Sequence, residues 1–512
     1  MKAHLLFADR DFDWAAAAPA QSQALIADLD LDTVFAAMGQ DDQYVRDVCA
    51  TVVLHGLTDA DHIRYRQQVI ADAAAHEDTV GALYRMTGDA LAGAKKASHL
   101  VWFHSPDSVL SGSLELMEFL VKVLGRLRGF ADDHGAEFTS PGWTTLFTMI
   151  RAELDEQYFS EIAEHLARLR FRDGVQISAD LGKGLHGNHH VLRAGPDEPH
   201  HWWQRLIDNH RSGPFTLTVA DRDEAGMRAL EELRARGINL VANAVAQSCD
   251  HILSFLRNLR AELAFCLGAC RLRRRLVAAG QPVCLPIPSA PPAAGPDGTD
   301  LRDTALALRT RGGVVGNDVH AAADGFILVT GANQGGKSTF LRSLGIAQIL
   351  FQAGCYVCAA SYRTPVYTGV FTHYKRAEDT SMTSGKLDEE LGRMAQIADL
   401  LRPGAVVLFN ESFAATNERE GSEIARQVVQ ALRDSGVTVW FVTHLYDFAR
   451  SQVDGPVRGV LSLRAPRRGD GRRTFRLVPG DPLPTGYGPD LYASIFGTDP
   501  QRTDKDAVWT TR

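Results

Sequence analysis

The run Gly331-Ala332-Asn333-Gln334-Gly335-Gly336-Lys337-Ser338 follows the apolar Phe326-Ile327-Leu328-Val329-Thr330 and leads into Thr339-Phe340-Leu341. A glycine-rich loop between a buried strand and a helix can wrap a polyphosphate. Its backbone N–H groups converge on phosphate oxygens, and the helix start adds partial positive charge. Lys337 is spaced to reach β- and γ-phosphates, and the Ser338 hydroxyl to ligate Mg²⁺. Residues Gly331, Ala332, Asn333, Gln334, Gly335, Gly336, Lys337, Ser338 and Thr339 are therefore candidate contacts for ATP with Mg²⁺.

Three further segments complete the constellation. Ala405-Val406-Val407-Leu408-Phe409 reads as a second buried strand, ending in Asn410-Glu411. Glu411 is placed to act as general base or to orient the attacking water. Asn410 stands where an aspartate would support Mg²⁺, so the metal set is Ser338, Asn410 and Glu411, with one charge fewer than usual. A third strand, Val437-Thr438-Val439-Trp440-Phe441-Val442, ends in Thr443-His444, and His444 can sense a γ-phosphate. The catalytic candidates are Glu411, His444 and Lys337. Finally, Ser384-Gly385 opens a helix with Leu387, Leu391, Met394, Ala398 and Leu401 on one face, stopped by Pro403-Gly404. Free N–H groups at that start suit an anion, and with the other segments they suggest a two-subunit arrangement closing on nucleotide.

These parts need a scaffold, and the rest of the chain is read as supplying it. The 512 residues carry a net charge of −8 and 45% hydrophobic residues, enough for real cores and too acidic for global attraction to nucleic acid. No apolar run of membrane-spanning length occurs, the start lacks a signal-type core, and seven scattered cysteines make no disulfide framework. A cytoplasmic location with no membrane partner is expected. Residues 1–280 read as a helical core and lever: one apolar helix around Ser113–Leu127, a second from about Thr145 to Arg170, and a continuous stripe from Ile238 through Leu267. Glycine-punctuated residues 171–220, including Phe215–Val219, read as a small β insertion. Its Lys183, His186, His189, His190 and Arg193 suit a solvated hairpin better than a metal site. Six prolines between Pro282 and Pro296 mark a linker at 281–300, and 301–512 form the α/β domain. Two arginine clusters, Arg271 with Arg273–Arg275 and Arg464–Arg476, read as solvated faces, the Arg467–Arg473 run as a hairpin turn.

From Asn317 to Phe496 these residues resemble the ATPase domain of the MutS family of DNA mismatch-repair proteins. The resemblance rests on Asn317-Asp318, the run Gly331–Thr339, Gln352–Ala359, Ser384-Gly385, Asn410-Glu411 with Glu420-Gly421, Thr443-His444, Leu477–Gly480 and Tyr487-Gly488. Ala244–Asp250 is similar to the helix preceding that domain. The resemblance implies a P-loop ABC-type ATPase domain, ATP hydrolysis, a homodimer through the ATPase domains, and DNA as partner in repair or recombination. It identifies Cys355 and Cys358 as structural cysteines on a strand. No recognisable mismatch-recognition domain and no Phe-x-Glu wedge lie near the N-terminus, so mismatch recognition is not implied, and no nuclease-like appendage is expected at the C-terminus. Asn410 in place of aspartate implies slower hydrolysis, and Lys386-Leu387 replace the hydroxyl residues that usually follow Ser-Gly. The alternative is a slow ATP-gated scaffold acting on RNA, ribosomes or a protein.

Overall fold

A computed structural model describes residues 1–99, 105–171, 175–181, 187–193, 223–289, 295–310, 313–322, 325–376, 385–455, 459–466 and 473–484. The protein is mixed α/β. Its first part is helical: α1 (Ser22–Leu29), α2 (Leu31–Gly39), α3 (Gln43–Leu54), α4 (Ala60–Ala75), α5 (Glu77–His99), α6 (Pro106–His134), α7 (Pro141–Glu153) and α8 (Glu156–Leu169). A hairpin, β1 (Gln176–Leu181) and β2 (Gly187–Arg193), precedes the helix α9 (Glu224–Ala278). There follow β3 (Ile287–Pro288), β4 (Asp297–Leu301), α10 (Thr304–Arg309), β5 (Asn317–His320), β6 (Ile327–Gly331), α11 (Lys337–Gln352), β7 (Ser361–Thr364) and β8 (Val370–Tyr374). The last described elements are α12 (Lys386–Leu400), β9 (Val406–Asn410), α13 (Glu418–Asp434), β10 (Thr438–Val442), α14 (Tyr446–Asp454), β11 (Leu461–Ala465) and β12 (Val478–Pro479). No helix among the described residues is long and apolar enough to cross a membrane.

The chain divides into two compact units, Met1–Leu5 with Asp78–Leu263, and Leu6–Glu77 with Ala264–Arg512. This grouping differs from a split at the proline-rich stretch. Residues 6–77 join the C-terminal unit through buried polar contacts far apart in sequence: Gln67 Nε2 donates to Pro286 O at 2.7 Å, and Leu57 N donates to Gln352 O at 2.7 Å. Nor are residues 281–300 simply a linker, because they supply β3 and β4 of a four-stranded sheet ordered β3-β7-β4-β5. Pro288 is tolerated because β3 is an edge strand, where a missing N–H breaks no ladder on the open side.

Within the first unit, the start of α6 is set by Ser105 and Ser108, whose hydroxyls each accept the other's backbone N–H, with Pro106 at the first helical position. The helix is not apolar all round: Leu114, Met117, Leu120, Leu124 and Leu127 are buried while Glu115 and Arg126 face solvent. The expected helix from Thr145 to Arg170 is broken in two, because Asp155 accepts from Tyr158 N at 2.8 Å and caps a new helix there. The hairpin packs Val175 and Leu192 against Leu110, Leu114, Ile238 and Ala242. Its His189 stands 3.4 Å from exposed Asp180, and among the described residues no three His, Cys, Asp or Glu side chains converge on a metal position. Lys183, His186 and Phe215–Val219 lie outside the described residues. The stripe on α9 matches expectation, with Ile238, Cys249, Ile252, Leu256, Leu259, Leu263 and Leu267 buried. At 55 residues the helix is about 80 Å long.

The second unit is built on a six-stranded sheet ordered β12-β11-β6-β10-β9-β8, with β12 antiparallel at one edge and the other five parallel. The short unbroken apolar runs follow from burial on both faces. On one face Leu328, Val407, Phe409 and Phe441 pack with Met394 and Ile397 of α12, Val429 and Leu432 of α13, and Phe448 of α14. Phe409 and Phe441 stack at 4.9 Å, and each such buried ring contributes about 1.5–3 kcal/mol. On the other face, Gly345 lets α11 settle against the sheet, since a Cβ there would lie 2.6 Å from Leu29 and 2.8 Å from Leu408. The buried stripe of α12 is Glu390, Met394 and Ile397, while Leu391 and Ala398 of the expected face are exposed. Cys355 and Cys358 are buried free thiols, but they sit in an irregular segment around the Val357–Cys284 bridge rather than on a strand. Burial pushes both thiols up to about 12, which removes nucleophilic character at neutral pH.

Candidate functional site

Parallel pairing brings three strand ends to one edge of the sheet. Val442 of β10 lies opposite Val329 of β6 and opposite Asn410 of β9. The loop after β6, the Asn410-Glu411 corner after β9 and the Thr443-His444 corner after β10 therefore meet at the carboxyl ends, where open parallel sheets hold ligands. Backbone bonds lock the corners: Glu411 N donates to Val442 O at 2.9 Å, and Thr443 N donates to Val329 O at 3.1 Å.

The loop depends on glycine at its two ends. Gly331 has φ +107° and Gly336 φ +93°, and a Cβ on Gly331 would stand 2.7 Å from Ala465 O. Between them Gln334 adopts φ +57° despite its side chain. Gly336 caps α11 and Lys337 is its first residue. The Lys337 ammonium is buried over the loop, donating to Gly331 O at 3.1 Å and Ala332 O at 3.0 Å. Burial pulls its pKa down to about 8, opposed by the Glu411 charge and reinforced by Arg473. Ser338 Oγ donates to Asn410 Oδ1 at 2.8 Å across 72 residues of sequence. Two hard oxygen donors thus stand together, the type of donor that Mg²⁺ takes.

Glu411 has φ +55°, a strained backbone that turns its carboxylate toward the loop. His444 Nε2 donates to Glu411 Oε1 at 2.8 Å. That hydrogen bond holds the Glu411 carboxyl below the usual range against burial, with help from the charges of His444, Lys337 and Lys375. Glu411 is therefore ionised and oriented, the state a general base requires. One pocket is walled by Gln334, Gly335, Gly336, Lys337, Ser338, Thr339 and Glu411 on its loop side, and by Leu301, Asp303, Val314, Asn317 and Phe475 opposite. Asp303 is buried and ion-paired with Arg342; burial raises its pKa and Arg342 offsets the rise.

Of the candidates, Gly331 through Thr339, Asn410, Glu411 and His444 come together here. Ser384 lies outside the described residues, and Gly385, the exposed N-cap of α12, is not among the pocket-lining residues. The structure adds side chains that spacing alone did not single out. His373 is buried under the Glu411 corner, stacked on Phe413 at 5.4 Å. Its Nε2 lies 3.0 Å from the Glu390 carbonyl and its Nδ1 2.7 Å from Ser412 Oγ. The Glu390 carboxylate accepts from Phe413 N at 3.1 Å, so α12 grips the turn that carries Glu411. Burial takes His373 down to about 4, keeping the ring neutral. The local signal was the polar Glu390 inside an otherwise apolar stripe. Asn317 and Arg473, which reach the loop from flanking segments, were noted only in the Asn317-Asp318 pair of the resemblance and in an arginine cluster read as a solvated face.

Three of the arginines near the end of α9 are engaged within their own unit. Arg271 donates to Gly39 O at 2.9 Å, Arg273 lies over the Tyr356 ring, and Arg274 pairs with Glu77. Arg467, Arg468 and Arg472 lie outside the described residues.

Two family models match the chain, MutS2 N-terminal domain over residues 58–279 and MutS domain V over residues 327–468. The chain belongs to the MutS family. The first match ends one residue beyond α9, and the second begins at the first residue of β6 and encloses Lys337, Ser338, Glu411 and His444. Among MutS relatives, "DNA mismatch repair protein MutS 2" of Halobacterium salinarum is 27% identical over 333 residues, 63% of this chain and 37% of that relative. "DNA mismatch repair protein MutS" of Caulobacter vibrioides is 33% identical over 163 residues, 31% of this chain and 18% of that relative. "Endonuclease MutS2" of Streptococcus equi subsp. equi is 28% identical over 132 residues, 25% of this chain and 17% of that relative. The chain thus spans little more than a third of the length of the first of these MutS relatives, and less of the others. Asn317 and Arg473 fall outside both MutS matches.

Proposed function

We propose that this MutS-family chain binds and hydrolyses ATP at the loop Gly331–Thr339 and couples nucleotide state to a grip on DNA in repair or recombination. The observation that carries this reading is the convergence of Lys337, the Ser338–Asn410 pair and the Glu411–His444 pair at one sheet edge. The loop N–H groups and Lys337 bind the phosphates, Lys337 exchanging its two loop carbonyls for phosphate oxygens. Ser338 and Asn410 would hold Mg²⁺, which supplies positive charge against the developing phosphate charge. Asn410 adds an oxygen but no charge, so metal affinity is lower and turnover slower than with an aspartate. Glu411 accepts the proton of the attacking water while His444 fixes its carboxylate.

In this reading a helical core and lever over 1–280, of which residues 6–77 belong to the same compact unit as the C-terminal part, precedes a P-loop ABC-type ATPase domain over 301–512. Two copies close through their ATPase domains, each Ser384-Gly385 helix start facing the other's nucleotide, and α9 carries the closure toward the helical core. Closure requires ATP to bind the closed dimer much better than the open one. The names of the relatives support repair as the setting and DNA as the partner. A competition among homoduplex, mismatched, branched and single-stranded DNA and RNA, with and without ATP, tests the coupling. One DNA form is preferred only when ATP is present. Equal, salt-sensitive binding to every competitor, unmoved by ATP, overturns it.

The lowered pKa of Lys337 gives a pH signature. Phosphate binding favours the charged amine, so ATP affinity is level below about pH 8 and falls about tenfold per pH unit above it. Stability moves the other way. The folded pKa lies below the unfolded value, so this group's contribution rises with pH from about 8 to 10.5. Titrations of ATP at pH 7, 8, 9 and 10 check the first sign, and denaturant midpoints of the free protein check the second. Affinity flat across that range contradicts the assignment of Lys337.

A further inference from the structure

We propose that Arg473 is a second phosphate-binding cation of this site, supplied in cis by the segment that runs from Arg473 to Leu477. The inference rests on the nucleotide reading above and names one more of its ligands. Arg473 donates from its guanidinium to Gln334 Oε1 at the tip of the glycine loop. Its segment is pinned from the opposite wall by Asn317, a buried residue of β5. Asn317 Nδ2 donates to Phe475 O at 3.2 Å, and its Oδ1 accepts from Leu477 N at 2.7 Å. Phe475 lines the pocket, and its carbonyl oxygen would stand 3.5 Å from a Cβ on Gly336. The guanidinium is therefore held over the loop by a segment fastened to Asn317 at Phe475 and Leu477.

Its present partner is chemically incomplete. A guanidinium offers five donors in a fork that matches phosphate or carboxylate oxygens, and a neutral side-chain amide uses one of them. Among the described residues, Arg473 has no carboxylate partner. It stands close enough to Lys337 for its charge to disfavour the lysine's protonation. Two cations repelling over one loop of backbone donors form a site completed by a polyanion, and a nucleoside polyphosphate on Gly331–Thr339 lies within reach of both.

The test compares wild type, Arg473→Ala and Arg473→Lys in calorimetric titrations with ATP, ADP and adenosine. Arg473→Ala weakens ATP about tenfold or more and leaves adenosine within about twofold; Arg473→Lys restores part of the loss, keeping the charge without the fork. ATP affinity equal to wild type in Arg473→Ala overturns the inference and leaves the nucleotide site standing. An equal loss for ATP, ADP and adenosine also overturns it, assigning Arg473 to loop shape. If wild type binds none of the three, the nucleotide reading itself falls and the inference with it.

Discussion

Lys337→Met lowers ATP affinity about a hundredfold while leaving the protein as stable as before, or more so. The first half follows from the loss of the one ammonium placed inside the loop; removing a buried charge from its charged partner costs about 2–5 kcal/mol. The second half follows from the unliganded geometry. The amine is buried, its contacts are two neutral carbonyls, and burial pulls its pKa down to about 8, so the folded chain bears a cost for keeping it charged. A methionine of similar length fills the space without that cost. Calorimetric titration gives the affinity and a denaturant midpoint the stability. A variant that loses both together would mean Lys337 holds the loop rather than the ligand.

Glu411→Gln separates chemistry from binding. Turnover falls about 10²–10⁴-fold, the range for removing a positioned general base, whereas ATP affinity is unchanged or improved. The improvement is expected because the ionised Glu411 carboxylate faces the same loop as the phosphates and repels them. Glutamine keeps the length and can still pair with His444. Single-turnover rates with a separate binding curve distinguish the two effects. Equal turnover in both proteins would remove Glu411 from the base role and show that wild type carries out no hydrolysis through it.

Local pattern made the loop legible. A buried strand, glycines at turning points and a lysine-serine pair at a helix start lie within about fifteen residues, and each obeys a rule of its own neighbourhood. The acidic and histidine corners were legible one at a time, as polar residues ending apolar runs. That they meet needed the parallel register of β6, β10 and β9, which pairs strands far apart in the chain. The contacts that Asn317, Arg473 and the Glu390–His373–Ser412 set make were not legible, because each joins segments many residues apart. The proline-rich stretch misled for a related reason. Proline density describes an unpaired backbone well, but it does not reveal an edge strand, where proline is also permitted. The break at Asp155 comes from its carboxylate capping the helix that starts at Glu156, whereas hydrophobic spacing alone runs across it.

The central claim is that the loop Gly331–Thr339 holds a nucleoside triphosphate through Lys337 and the Ser338–Asn410 pair. Titration of ATP with Mg²⁺ into the 512-residue wild-type chain and Lys337→Met, at about pH 7.5 and followed by calorimetry, tests it most directly. The account predicts saturable binding of one ATP per chain in wild type and affinity lower by about a hundredfold in the variant. No saturable heat up to millimolar ATP, or identical isotherms for the two proteins, would contradict it.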